Sequence, residues 1–355
     1  MIFELKNFLK KILVFLIPIL LVILLIIFFN YKLDPFSVIN GEMGKVKISP
    51  NQRFLKVKHI VNNPNKYDSF LFGCSKAGKI DTRKISDGNQ WYNMTYSEGV
   101  PAEFLNNIKI FIESGVQIKN IFIGIDNLTY LVSPELHKNQ DLRKLYTNQY
   151  QPYLYYLFLR PSPTLLKNLW SSKKGKDSFI TEYDIYNSGL PIVYGVDEYI
   201  DTHAESHINN SKFDNVKWSE KYQNRTASVI AELKEIIELC DKYKINLKFF
   251  INPMHVNLYL RQNTNEFFTF LKALTKITDF YDFSGVNSVT VNNFNYYETV
   301  HFRYKIGDEM LKVLMDYGSK LNLEPEFGQI INKTNINSIL VKKNKDISDY
   351  RRLYK

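Results

Sequence analysis

A serine hydroxyl attacks a carbonyl only when a nearby base removes its proton, and two distant stretches of this chain carry residues suited to that work. The first is Tyr67–Gly78, which reads Y-D-S-F-L-F-G-C-S-K-A-G. Phe70, Leu71 and Phe72 form a short apolar run that predicts a buried strand, and Gly73-Cys74-Ser75 breaks it into a turn. Ligands of open α/β sheets bind beyond the carboxyl ends of strands. Ser75 is therefore the candidate nucleophile; the plain alternative is that Gly-Cys-Ser is only a loop. The second stretch is Asn295–Phe302, where Glu298 and His301 stand three apart ahead of a helical pattern. In a turn, that spacing lets the carboxylate accept a hydrogen bond from the imidazole. It would fix the tautomer and stabilise the imidazolium formed when histidine deprotonates serine. The alternative is a pair of surface residues.

Other side chains join these as candidates. Lys76, beside Ser75, either attracts an anionic substrate or is merely solvated. His255 ends a later strand and falls on the same rim, as a substrate contact or as a hydrogen-bonded structural histidine. His203 and His207 are four apart but have no carboxylate pattern beside them, and no Cys/His cluster occurs, so neither a metal nor a cofactor is expected.

Alternating strands and helices must position these residues, and the apolar pattern supplies them. Strands are expected at Phe70–Phe72, Trp91–Met94, Ile121–Asp126, Leu247–Ile251 and Phe280–Phe283. Helices are expected at Pro101–Glu113, Glu220–Tyr243, Asn265–Thr278 and Lys305–Lys320. This alternation predicts crossover units, hence a three-layer α/β/α sandwich around a central parallel sheet. The domain is expected over 67–325, with an aromatic, proline-containing insertion at 128–217 that reads as a lid. A connecting segment, 31–66, precedes it, and a basic tail, 326–355, follows.

Ile12–Phe29 is an unbroken apolar run of 18 residues, long enough to cross roughly 27 Å of hydrocarbon. Lys6, Lys10 and Lys11 precede it and favour a cytoplasmic N-terminus. No small-residue cleavage site follows, so residues 1–30 read as a short cytoplasmic stub and a retained single-pass signal anchor. The rest of the chain is then extracytoplasmic. The formal net charge of +10 is partly gathered in Lys342, Lys343, Lys345, Arg351, Arg352 and Lys355. That tail reads either as a solvated, poorly ordered terminus or as a group attracted to an anionic surface. Nothing resembles a nucleic-acid motif. The two cysteines form no disulfide framework and are expected as buried free thiols.

Taken in order, F-L-F-G-C-S, Y-N-M-T followed by a glycine, F-I-G-I-D-N and E-T-V-H resemble the conserved blocks of the SGNH/GDSL hydrolase superfamily. The likeness covers Tyr67–Asn127 and Phe280–Lys320. More narrowly, the chain resembles membrane-anchored extracytoplasmic members that act on bacterial envelope polymers. The resemblance implies a flavodoxin-like strand order, Ser75 as nucleophile and the pair Glu298–His301 completing a triad. It implies an oxyanion hole from the backbone N–H groups of Ser75 and Gly99. The family's Gly-x-Asn-Asp block reads Gly124-Ile125-Asp126-Asn127, so Asp126 replaces the donor asparagine; either Asn127 supplies the amide through a local shift, or the activity is slow or of another kind. Loss of such a donor typically costs about 10²–10³ in rate. Lys76, Asp126 and His255 are the substrate-binding candidates. The implied function is a serine esterase or O-acyltransferase acting on envelope polysaccharide or teichoic-type polymer, with a membrane-bound O-acyltransferase as partner. The alternative is a catalytically weak polymer-binding or scaffold component of such a complex.

Overall fold

Strand β1 (Ser69–Phe72) is buried on both faces and organises the sheet around it. Phe70 and Phe72 turn to one side, where their rings meet Phe111 and Phe104, while Leu71 turns to the other and joins the cluster of Phe122, Phe250 and Ile306. Alternation of side chains along an extended strand, with both faces covered, is what a continuous apolar run encodes. Each phenylalanine so buried contributes roughly 1.5–3 kcal/mol.

A computed structural model of the chain describes all residues except 1, 41–49, 139, 148–149, 162, 164–165, 168–181, 194, 215, 217–221, 317–326 and 355. The helices, in chain order, are α1 (Ile2–Leu33), α2 (Gln52–Asn62), α3 (Pro101–Glu113), α4 (Asn127–Leu131), α5 (Gln151–Phe158) and α6 (Val196–Thr202). They continue with α7 (Ala204–Ile208), α8 (Thr226–Tyr243), α9 (Val256–Arg261), α10 (Thr264–Leu274), α11 (Tyr304–Leu314) and α12 (Ile336–Tyr354). The other strands are β2 (Trp91–Asn93), β3 (Asn120–Ile125), β4 (Glu182–Tyr183), β5 (Pro191–Ile192), β6 (Asn246–Ile251), β7 (Phe280–Asp282) and β8 (Gln329–Ile331). The chain divides into two compact units, residues 1–58 with 138–178, and residues 59–137 with 179–355.

The second unit is the three-layer α/β/α sandwich. Its main sheet runs β2-β1-β3-β6-β7-β8, and the five strands from β2 to β7 are parallel. Relabelled by chain position, those five run 2-1-3-4-5, the flavodoxin-like order. α3, α8 and α10 pack together, and α11 contributes Ile306, Met310, Leu311 and Leu314 to the core cluster. The sheet is mixed rather than wholly parallel, because β8 pairs antiparallel with β7 at the edge.

That edge strand and α12 stand where a basic tail was expected. Lys343, read as a tail charge, is buried; its Nζ lies 2.9 Å from Asp282 and donates to the Ser284 carbonyl at 2.6 Å. An aliphatic stem carrying one charge toward a buried carboxylate leaves no apolar signature in the sequence. The expected helix at Glu220–Tyr243 begins at Thr226, with 220–221 outside the described residues. The expected helix at Lys305–Lys320 is described as Tyr304–Leu314, and 317–320 lie outside. Parts of the expected insertion, 168–181 among them, lie outside as well.

The first unit holds α1, whose span Phe3–Leu33 is long and apolar enough to cross a membrane, and whose most apolar 18-residue window is not buried in the protein. In the same unit, Phe54 on α2 packs against the rings of Tyr146 and Tyr153.

Candidate active site

β1 and β3 end side by side in register, Phe72 against Ile123, at the point where the strand order reverses. In a sheet of this order the crevice lies there. After β1, Gly73 takes φ +156°, and a Cβ on it would come within 2.8 Å of Ala77 Cβ. Only glycine lets the chain turn sharply enough for Ala77–Lys79 to fold back as a short 3-10 turn, leaving Ser75 partly exposed beyond the carboxyl end of β1.

His301 arrives from 226 positions away. Its Nε2 lies 2.8 Å from the Ser75 hydroxyl oxygen. The other ring nitrogen, Nδ1, makes a very short hydrogen bond with Glu298 Oε1. Glu298 also accepts from the backbone N–H of Val300 at 2.6 Å and of His301 at 3.0 Å. Burial works against its charge, but the bonds from His301 and these amides outweigh burial and hold its carboxyl below the usual range. Ser75, His301 and Glu298 thus form one hydrogen-bonded line.

The turn bearing His301 is fastened at both ends. Tyr296 and Phe302 form an isolated antiparallel bridge, and both rings are buried. Arg303, two residues beyond the histidine, is buried and binds Asp197 at 2.6 Å, Asp201 at 2.8 Å and the Phe294 carbonyl at 3.3 Å. The Tyr297 hydroxyl donates to Asp197 at 2.5 Å. Helix α6 therefore fixes this turn. The sequence reading missed Arg303, although its place just after the histidine was the available signal.

Lys76 and Asp126 do not stand as substrate contacts; both are closed to solvent. Lys76 Nζ lies 3.3 Å from Asp126 Oδ2 and donates to Asn127 Oδ1 at 2.8 Å. Asp126 also caps α4 through Leu128 N–H at 2.7 Å, and its Oδ2 accepts from the Cys74 thiol at 2.6 Å. Burial first, then the neighbouring Asp126, pushes the Cys74 thiol well up, so the sulfur stays protonated. Cys74 and Cys240 are both free and buried.

His255 is likewise occupied as a structural residue. Its Nε2 bonds Asn293 Oδ1 at 2.7 Å and its Nδ1 accepts from Asn257 N–H at 3.2 Å. Gly99 lies at the site, where a Cβ would come within 2.7 Å of the Gly73 carbonyl oxygen. Its own N–H is engaged, donating to the Tyr96 carbonyl at 3.2 Å.

Two further groups near the site had no sequence signature. Lys79, four residues after Ser75, is buried with its Nζ 5.2 Å from the centroid of the Tyr297 ring and 5.1 Å from that of Tyr304. His137 is buried and bonds Glu103 at 2.7 Å through Nδ1, with Glu98 3.4 Å from Nε2. Glu98 directly precedes Gly99 and adopts a left-handed φ of 51°.

No family model matches the chain, and no curated protein matches it. Among solved structures, a protein from Streptococcus pneumonia described as a candidate platelet activating factor is 10% identical with a TM-score of 0.37. That alignment covers 74% of this chain and 90% of the other.

Proposed function

We propose that this chain is a membrane-anchored serine esterase or O-acyltransferase whose nucleophile is Ser75, with His301 as base and Glu298 as its orienting carboxylate. The observation that carries the reading is the unbroken line from Ser75 Oγ through both His301 nitrogens to Glu298. The order of the sequence blocks and the strand order support it.

In the proposed reaction, Ser75 Oγ bonds to an ester carbonyl carbon while its proton passes to His301 Nε2. The carbonyl becomes a tetrahedral oxyanion. Its proposed donors are the Ser75 N–H and the carboxamide of Asn127, a buried residue whose Oδ1 accepts from Lys76. Collapse breaks the ester bond, and the departing alkoxide takes the proton from His301. Water or a sugar hydroxyl then attacks acyl-Ser75, giving its proton to His301; collapse breaks the bond to Ser75 Oγ, which takes that proton back and releases the acid or the new ester. The proposed substrate is an acylated envelope polysaccharide or teichoic-type polymer, presented outside a membrane whose cytoplasmic side holds Lys6, Lys10 and Lys11. A membrane-bound O-acyltransferase is the proposed partner.

A second reading, a catalytically weak polymer-binding or scaffold component, is favoured by the Gly99 N–H, which is committed to Tyr96 rather than to a ligand. Incubating the full chain in detergent with a fluorophosphonate probe separates the two. Labelling that vanishes in Ser75→Ala supports the enzyme. Absence of labelling, with envelope-polymer binding that survives Ser75→Ala, supports the scaffold.

A further inference from the structure

Helix α5 has two apolar faces, and among the described residues only one is buried. Tyr156 lies on the covered face, with its hydroxyl donating to the Asp141 carbonyl at 2.5 Å and bonded by Asn51 at 2.8 Å. Leu154, Tyr155 and Phe158 recur at the spacing of a single helical stripe, and that stripe is exposed: Leu154 by 50% and Phe158 by 54%. An exposed aromatic stripe on a folded helix requires a partner.

The partner is indicated by what holds α5 in place. Asn30, the residue that follows the apolar run of α1, is buried and donates through Nδ2 to the carbonyls of Leu157 at 2.9 Å and Leu159 at 2.8 Å. These are carbonyls that the end of a helix leaves without intrahelical partners. The α1 side chain at the membrane boundary therefore caps α5, and the two helices pack together. Phe28 and Tyr31, on the same last turns of α1, are exposed too. The Tyr155 ring is amphipathic: its hydroxyl donates to Asp141 at 2.5 Å and Lys144 Nζ sits 4.5 Å from its centroid. Lys32 and Arg160 are exposed beside these elements.

We infer that α5 lies in the interface of the bilayer that α1 crosses, with Leu154, Tyr155 and Phe158 in the lipid and cations among anionic headgroups. Tyrosines collect at that depth, and amphipathic helices bury their apolar face about 5–10 Å into it. The inference rests on reading α1 as a membrane anchor, and is distinguishable from it by experiment.

Nitroxide labels at Leu154→Cys and Phe158→Cys, in the full chain reconstituted into vesicles of phosphatidylethanolamine and phosphatidylglycerol, test it. Leu20→Cys in α1 and Val341→Cys, at an exposed position of α12, give the lipid and aqueous references; native Cys74 and Cys240 are buried and protected from the reagent. The expected result is an oxygen-to-nickel-chelate collision ratio at both α5 sites several-fold above that at Val341. Ratios equal to that at Val341 would place α5 in water and overturn the inference. Low collision with both reagents would mean that protein covers the stripe, and overturns it as well. An aqueous ratio at Leu20 would remove the anchor itself, and with it the inference.

Discussion

Lys76 Nζ lies 3.3 Å from the Asp126 carboxylate, with neither side chain open to solvent, one residue beyond the candidate nucleophile. The pair ties the turn after β1 to the start of α4, so it positions the site rather than meeting substrate. Removing one partner of a buried ion pair leaves an uncompensated charge and costs about 3–5 kcal/mol. Lys76→Met should therefore lower the thermal midpoint of the full chain in detergent sharply. Combining it with Asp126→Asn should restore much of the loss. If the double variant is no more stable than Lys76→Met, the pair is not coupled as described.

Glu298 accepts three hydrogen bonds and sits on the ring nitrogen of His301 opposite Ser75. Glu298→Gln keeps the shape but favours the wrong imidazole tautomer, a change worth about 10⁴ in rate in a comparable triad. Fluorophosphonate labelling of Ser75 should slow by about 10²–10⁴ while the far-ultraviolet circular dichroism is unchanged. A labelling rate within a few-fold of the parent protein would remove Glu298 from the proposed mechanism.

The core, and the meeting of Ser75, His301 and Glu298 in space, were readable in the sequence for one reason: buried strands and a turn-bound histidine leave local signatures. Phe70–Phe72 was legible because apolar runs bounded by glycine persist wherever a parallel strand is buried. What escaped was held by long-range polar contacts. Arg303 on Asp197 and Asp201, and Lys76 on Asp126, are hydrophilic residues that the sequence marks as surface, yet partners distant in the chain bury them. The edge strand β8 was missed because its three residues alternate too briefly to register as a period.

Lys343 on α12 reaches Asp282 at 2.9 Å, and both are buried. The last helix is thus part of the sheet's polar support. Deleting residues 336–355 should leave Asp282 without its buried partner, with the truncated chain losing its cooperative urea transition. Lys343→Met alone should cost about 3–5 kcal/mol, because the carboxylate remains. A truncated chain that unfolds at the parent's urea midpoint would return this segment to the status of a solvated tail.

Lys79 offers a test by pH. Burial lowers its pKa from the ordinary 10.5 to about 8, against the opposing pull of Asp197 and Glu298. Between those values the unfolded chain holds the proton that the folded chain has released, so stability rises with pH across that window. Below pH 8 both states hold it, and the full cost of charging a buried amine remains. The facing tyrosines do not interfere, since burial pushes Tyr297 and Tyr304 upward and keeps both neutral there. Lys79→Met removes the titration, so the parent protein should gain on the variant by about 3 kcal/mol at most between pH 8 and pH 10.5. Urea midpoints of both proteins at pH 8 and pH 10 measure the difference. A gap between parent and variant that is the same at both pH values would show that the Lys79 amine carries its proton throughout, held by the rings and carboxylates around it.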